Sequence, residues 1–316
     1  MNKISVPLII VLLALCGCAG AQENTDTRLM MDTFATITAD CDDGVLAAAF
    51  EQCADYERLL GKNISGSDTE RLNGSPEEII RISDDTRRIL EKSLYYGDIS
   101  NGKFDITVCP AEELWDFENQ IVPDRSEIAE ALKNVDYHSI ELTESGACLN
   151  GKKIDLGGIA KGYIADRTAD FLLASGVKSA VIDLGGDLRV FGNERDIRLQ
   201  KPFESGYAAT LRISDRAVVT SGTYERSFRR DGVNYHHILD PATGFGAETD
   251  LASATVICEN AADGDALATI CILLGKQNAG RLIEQTADTE AVFIDNNGGL
   301  SYTSGIYKKK DKLYLN

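Results

Sequence analysis

The sequence predicts an α+β protein folded as a single compact domain. Strand-like runs are interrupted by helical patterns without the steady strand–helix alternation of a doubly wound parallel sheet. No internal repeat and no Pro- or Ser-rich linker divides the chain. At 316 residues it is long enough to bury a proper core.

The first residues stand apart from that domain. Lys3 precedes the apolar run Val6–Leu15, which is too short to span a bilayer comfortably and reads as a signal peptide. It ends in Leu15-Cys16-Gly17-Cys18, which resembles a bacterial lipobox; an ordinary cleavage site nearby is the alternative. Cys18 is the better lipid acceptor, because bulky Leu15 precedes Cys16. The expected organisation is a signal segment over residues 1–17, a polar tether over 18–27 and the folded domain over 28–316. A lipid anchor would place the protein in the bacterial cell envelope, as a membrane lipoprotein facing the periplasm or the exterior.

Within the domain, apolar spacing predicts a helix over Val45–Leu60, closed by Gly61, and another over Asp84–Tyr96, closed by Gly97. Phe104–Cys109 reads as a short strand stopped by Pro110. A helix around Ser126–Lys133 follows, then strands at Ser139–Leu142, Ala147–Leu149 and Lys152–Ile154. Ile159–Leu173 has helical periodicity. Strands are expected at Ala180–Leu184, from the Gly185-Gly186 turn through Val190, and at Ile197–Gln200, Ala208–Ile213, Ala217–Thr220, His236–Leu239 and Ala252–Cys258. Two helices, Gly264–Leu274 and Gly280–Thr286, and two strands, Ala291–Ile294 and Leu300–Tyr302, close the domain. Lys308–Lys312 reads as a solvated basic tail.

The formal net charge of −18 excludes a nucleic-acid binder and leaves no polybasic patch for a membrane surface. Such a chain also repels an anionic nucleotide unless a metal or a local basic cluster intervenes. Beyond Cys16 and Cys18 there are six cysteines, Cys41, Cys53, Cys109, Cys148, Cys258 and Cys271, with no metal-type spacing. An exported location permits disulfides, while the apolar surroundings of several suit buried thiols.

Four segments carry chemistry. Asp155-Leu-Gly-Gly-Ile-Ala-Lys161-Gly162 sits where a strand is expected to hand over to a helix. Its glycines allow close approach to the backbone, the helix terminus offers N–H groups to an anion, and Lys161 adds positive charge. A plain turn would show the same glycines. In Asp263-Gly-Asp265-Ala-Leu-Ala268-Thr269, Asp265 and Thr269 are spaced i, i+4 on one helix face. Two hard oxygen donors at that spacing suit Mg²⁺, although aspartates at a helix N-terminus also complement its dipole. His236-His237-Ile238-Leu239-Asp240-Pro-Ala-Thr-Gly244 places two of the three histidines side by side, so at most one enters a given cleft. Thr220-Ser-Gly-Thr-Tyr-Glu225-Arg226 offers hydroxyls and a guanidinium for phosphate. Gly185-Gly186-Asp187 reads as a tight structural turn between strands, with the lining of a cleft as the alternative.

These segments, with Met31-Asp32-Thr33, Phe104–Pro110 and Leu114–Phe117, occur in the order in which they stand in the ApbE family of FAD:protein FMN transferases, and the chain resembles that family from about Met31 to about Thr286. The resemblance implies an α+β fold related to the T-fold with FAD in a cleft. It implies flavin and adenosine contacts from Met31, Lys103, Phe104, Asp105, Asp155, Lys161, His237 and Ile238. It implies Mg²⁺ held by the Gly158 carbonyl, Asp265 and Thr269, with Ala268 adjacent. The implied reaction moves FMN from FAD to a threonine hydroxyl and releases AMP, with His237 and Asp265 in the catalytic apparatus. The implied acceptors are flavoprotein subunits of membrane redox complexes.

Two residues depart from the family pattern. Cys109 replaces a glycine, and Asn63 stands where many members carry an aromatic residue over the flavin. The second departure favours water as an alternative acceptor, which would make the chain an FAD pyrophosphatase giving FMN and AMP. A non-catalytic FAD-binding lipoprotein is a further alternative, against which the Asp265/Thr269 pair argues. An exported solute-binding lipoprotein would show two similar lobes, which the sequence lacks.

Overall fold

The computed structural model describes residues 23–316. The signal segment and Cys18 lie outside the described residues. The expected tether ends sooner than residue 27, because Asn24 already belongs to the first strand. β1 (Asn24–Met30) and β2 (Thr33–Ala39) form a hairpin whose two turn residues, Met31 and Asp32, both adopt left-handed φ of 50° and 55°. That geometry matches strand twist in a two-residue loop.

The helices form where capping and periodicity agree. In α1 (Asp43–Leu60) the Asp42 carboxylate accepts from Val45 N at 2.9 Å. Ser67 caps α2 (Asp68–Gly74), and Ser83 caps α3 (Asp84–Ile99) in the same way.

The strand expected at Phe104–Cys109 does not form. Asp105 accepts from Thr107 N at 2.7 Å and from its hydroxyl at 2.5 Å, which winds Ile106–Val108 into a 3₁₀ turn that leads into α4 (Cys109–Glu112). A short side chain bonded to nearby backbone has outcompeted the extended conformation. After α5 (Arg125–Ala131), Ser139–Leu142 is half 3₁₀ turn, and only β3 (Glu141–Thr143) and β4 (Gly146–Cys148) pair. Lys152–Ile154 is not a strand.

α6 (Ala160–Ala174) precedes β5 (Ala180–Leu184), β6 (Asp187–Phe191), β7 (Arg195–Gln200), β8 (Tyr207–Ile213) and β9 (Arg216–Gly222). β10 (Ser227–Arg230) and β11 (Val233–His236) make a separate hairpin. The strand expected at His236–Leu239 therefore ends at His236, and His237 opens a loop. β12 (Leu251–Cys258) leads into α7 (Ala261–Glu284), which consists of two helical stretches parted at Gly275, where φ 71° and ψ 164° are not helical, in keeping with the two expected helices. β13 (Glu290–Asp295) and β14 (Leu300–Tyr302) follow. The expected basic tail is a hairpin, β15 (Ile306–Lys309) and β16 (Lys312–Leu315).

The main sheet is antiparallel throughout, in the order β1-β2-β5-β6-β9-β12-β13-β14. Its two faces serve two cores. Ile182, Val219 and Val256 face α1, α6 and α7, while their neighbours Val181, Val218 and Ile257 face the second sheet, β15-β16-β8-β7. This is the period-two alternation of a sheet buried on both sides. A third, smaller cluster around Trp115, Ile128, Phe228 and Leu239 sits beside the cavity described below. The helices, the mixed sheets and the single domain agree with the α+β expectation. The six described cysteines are all free, and only Cys41 is not buried.

α6 and α7 meet closely. A Cβ on Gly162 would stand 2.2 Å from the Ala261 carbonyl oxygen, so only glycine permits the approach. Asp166 of α6 caps α7 by accepting from Ala261 N at 2.8 Å and Ala262 N at 3.0 Å. These contacts fix where Asp265 and Thr269 lie relative to the start of α6.

Candidate active site

A cavity of about 940 Å³ opens between the helical layer, the ends of β2, β5 and β9, and the loop after β11. It stands at the upper end of the usual size for small-molecule sites, roughly 300–1,000 Å³. Met31, Asn63, Lys103, Phe104, Asp105, Asp155, Gly158, Lys161, His237, Ile238, Asp265 and Thr269 all line it, although they are spread over most of the chain. Ala268 does not; it is fully buried behind its neighbours in α7. Cys18 is outside the described residues.

At one end stands the start of α6. Its N-cap residue, Ile159, supplies no side-chain cap, and its third N–H, Gly162, donates instead to Asp265 Oδ2 of α7 at 3.1 Å. Lys161 forms an ion pair with Asp187, whose turn lines the cavity. Burial opposes charge on Lys161, but the Asp187 and Asp265 carboxylates outweigh it and hold the ammonium protonated. Burial raises Asp265 to about 7, with Asp187 adding repulsion. Glu225 lines the opening yet is walled by protein, and desolvation lifts it to about 7 as well.

The donor set at this end fits a hard divalent cation. Asp265 spends one oxygen on Gly162 and faces the cavity, and Thr269 Oγ1 lies 3.4 Å from Ser221 Oγ. A Cβ built on Gly158 would stand 3.9 Å from Thr269 Oγ1, so the backbone of residue 158 adjoins the pair. No group of three or more His, Cys, Asp or Glu with metal-binding geometry occurs among the described residues. Mg²⁺ does not need one, because it binds through one or two carboxylates and takes its remaining oxygens from water and phosphate. A cation here would also relieve the repulsion between Asp187 and Asp265.

The other end is built around a cation that the sequence did not single out. Lys62 contacts Asp155 Oδ2 at 2.5 Å, Glu112 Oε2 at 3.7 Å and Cys109 Sγ at 3.9 Å. Asp155 thus reaches the cavity already paired. Burial and the nearby Asp155 push Glu112 up to about 8, and burial pushes the Cys109 thiol up to about 12, so Cys109 is no nucleophile at neutral pH. Lys62 and Glu112 lie 50 residues apart, with no local motif linking them.

Lys103 reaches Asp240 at 2.6 Å, which ties the Asp-Pro-Ala-Thr-Gly turn to the cavity wall. Asp105 lines the cavity, but its oxygens accept from Thr107 and from Tyr137 N. The two histidines part as their adjacency required. His236 is buried, with Nε2 3.2 Å from Ala247 O, whereas His237 faces the cavity with Nδ1 3.1 Å from Glu225 O. A carbonyl only accepts, so Nδ1 carries the proton and Nε2 is left with its lone pair. Burial lowers His237 to about 4, which keeps the ring neutral.

The start of a helix, a half-buried lysine and an oxygen donor pair on one wall of the cavity form a cleft suited to a phosphate-bearing ligand. The ApbE family model matches residues 31–293, and the chain belongs to that family. It is 33% identical over 279 residues to the FAD:protein FMN transferase of Treponema pallidum, covering 79% of this chain and 76% of the relative. It is likewise 33% identical over 272 residues to a FAD:protein FMN transferase of Klebsiella pneumoniae, covering 83% and 86%. The ApbE protein of Thermotoga maritima has the same fold, with a TM-score of 0.83 at 28% identity over 90% of this chain and 97% of that one.

Proposed function

We propose that this chain is a Mg²⁺-dependent FAD:protein FMN transferase that moves FMN from FAD to a threonine hydroxyl of a target flavoprotein and releases AMP. The observation that carries this reading is the meeting, in one cavity, of the α6 terminus and Lys161 with the α7 pair Asp265 and Thr269. Asp265, Thr269 and the Gly158 carbonyl are the residues that would hold Mg²⁺, which when bound neutralises charge on a pyrophosphate. Lys161, through its ammonium and its own backbone N–H, orients the phosphates, since the Ala160 and Gly162 N–H groups already donate to Leu156 O and Asp265. Lys62 holds Asp155 in place beside Asn63 and Phe104, where the ring system would lie.

His237 Nε2 takes the proton of the attacking hydroxyl. As the new O–P bond to FMN forms, the P–O–P bond breaks and its electron pair leaves on the AMP phosphate. The neutral ring and the fixed tautomer both suit this role. The targets we infer are flavoprotein subunits of membrane redox complexes, reached from the cell envelope through a lipid on Cys18. Incubation with FAD, Mg²⁺ and such subunits, read by in-gel flavin fluorescence and intact mass, should show one FMN added per acceptor and AMP in solution. Unmodified acceptors and unchanged FAD would overturn the reading.

Asn63 at the cavity wall favours a second reaction, hydrolysis of FAD to FMN and AMP. A small polar side chain leaves a bound ring system less covered than an aromatic one would, so water can take the place of the threonine hydroxyl. Chromatography of FAD incubated with enzyme and Mg²⁺ alone should show both products, and Asn63→Tyr should slow their appearance. FAD that persists over many enzyme equivalents rules hydrolysis out.

A further inference from the structure

The β10–β11 hairpin stands directly on the cavity rim. Arg226, which lines the cavity, precedes its first strand, and His237, which also lines it, follows its second. The hairpin carries Arg229 and Arg230, both exposed, and one acidic residue, Asp231, at its tip. In a protein of net charge −18 this is a local reversal of sign. Several arginines elsewhere are spent on carboxylates, among them Arg189 on Asp166, Arg195 on Glu23, and Arg212 on Glu194 and Asp196. Among the described residues, Arg226, Arg229 and Arg230 make no such pair and stand together within five residues of chain.

These arginines are braced by other groups. Arg229 lies over the Phe203 ring, 4.8 Å from its centroid, and Phe203 meets Tyr224 edge-on at 5.9 Å. Phe203 is 47% exposed and has φ of 59°, a costly conformation for an aromatic residue unless its surroundings impose it. Arg230 donates to the Gln120 carbonyl at 2.5 Å, and Asn234 of β11 donates to the Thr223 carbonyl at 2.9 Å. Neighbours on a strand face opposite sides, so Arg229 and Phe203 form a pre-ordered arginine–aromatic surface on one face of the hairpin, the composition enriched where proteins bind proteins, while Arg230 lies on the other face over the Phe228 ring. Arg229 is three residues from Arg226, or roughly 10 Å along a strand. A chain docked on the hairpin can therefore lay a neighbouring residue into the cavity.

We propose that the β10–β11 hairpin, with Phe203 leaning on it, docks the acceptor protein through an acidic segment flanking the modified hydroxyl. The proposal rests on the transferase reading and names its partner's chemistry. Without this patch, an acidic acceptor would meet an acidic enzyme; the arginines reverse that repulsion at the place where the hydroxyl must enter.

The test uses two fluorescein-labelled threonine peptides, alike except for aspartate or lysine flanks, titrated by anisotropy against the FAD-loaded protein. The aspartate peptide should bind about tenfold more tightly at low salt, and the gap should shrink as salt screens it. Arg229→Glu, and separately Arg229→Glu with Arg230→Glu, should invert the preference while FAD affinity and melting temperature hold. Equal binding of the two peptides, or a preference that survives charge reversal, overturns the docking surface and leaves the transferase reading standing. Failure of FMN to reach any threonine-bearing acceptor overturns the transferase reading, and the docking surface with it. Retention of the wild-type protein but not the variant on phosphatidylglycerol vesicles, with peptide binding unchanged, assigns the patch to a lipid surface and overturns the proposal.

Discussion

Asp265 is the side chain on which the proposed metal chemistry turns. It is buried, opposed by Asp187, and supported by a single backbone N–H and a nearby lysine that is already paired. Such a carboxylate is poorly stabilised on its own and well stabilised by a cation. We predict that Asp265→Asn abolishes Mg²⁺ binding in calorimetry and lowers FAD turnover by about a hundredfold or more, the usual scale for losing one charge-stabilising group. FAD affinity should fall far less. Full turnover in this variant would remove the metal from the mechanism. Asp265 and Thr269 were legible in the sequence because one helix turn brings them together. Lys62 and Glu112 were not, and for Asp187 only the turn was legible and not its pairing with Lys161, because each meets its mate only through tertiary contact.

At the scale of elements, the junction of α6 and α7 sets the geometry. Gly162→Ala adds helix propensity worth at most about 1 kcal/mol. It also drives a methyl group to within 2.2 Å of the Ala261 carbonyl, backbone that has no rotamer to escape into. Overpacking of this kind costs typically 1–3 kcal/mol, so the clash wins. The variant should lose about 1–2 kcal/mol in urea unfolding, and its turnover should drop because Asp265 moves away from the start of α6. A variant as stable and active as the parent would show that the helices can part without consequence. Helices were legible where apolar residues repeat at helical spacing, as over Val45–Leu60 and Ile159–Leu173, whereas α2, seven residues behind its Ser67 cap, is too short to show a period. The strand expected at Phe104–Cys109 failed because its apolar alternation said nothing of Asp105 folding back on Thr107. The break between the two helices expected around Gly275 is present, and Asp250 receives the Lys276 N–H at 2.8 Å where the second stretch begins.

For the whole molecule, several carboxyls stand at a disadvantage together, Glu225 at the cavity and Asp166 at the α6–α7 junction. Desolvation by burial raises Asp166 to about 6 and Glu225 to about 7, against ordinary values near 4. A carboxyl with a raised folded value binds its proton more tightly in the native state, so its contribution is present at low pH and lost as pH rises through that value. Metal-free protein should therefore show a melting temperature that falls between about pH 4 and pH 7 and levels off above. Mg²⁺, held as proposed by ionised Asp265 in the folded state alone, should recover part of it at the upper end. A melting temperature that climbs over this range would contradict the assignment. The carboxyls held low, such as Asp196 beside Lys312 and Arg212, act in a separate and more acidic window.

The terminal hairpin has a different bearing on the molecule's fate. β16 pairs in parallel with β8, which leaves β15 as the outer strand of the second sheet. Its exposed backbone groups are a template on which another molecule could add a strand. Lys308 and Lys309, both exposed, sit on that strand, and Lys310 follows in the turn. The run that reads as a solvated tail thus works as a guard against self-association: two copies meeting edge to edge must bring like charges together. Replacing these three lysines with threonine should leave flavin chemistry untouched and produce concentration-dependent aggregates in light scattering, whereas a monodisperse variant would show that the edge is protected by other means.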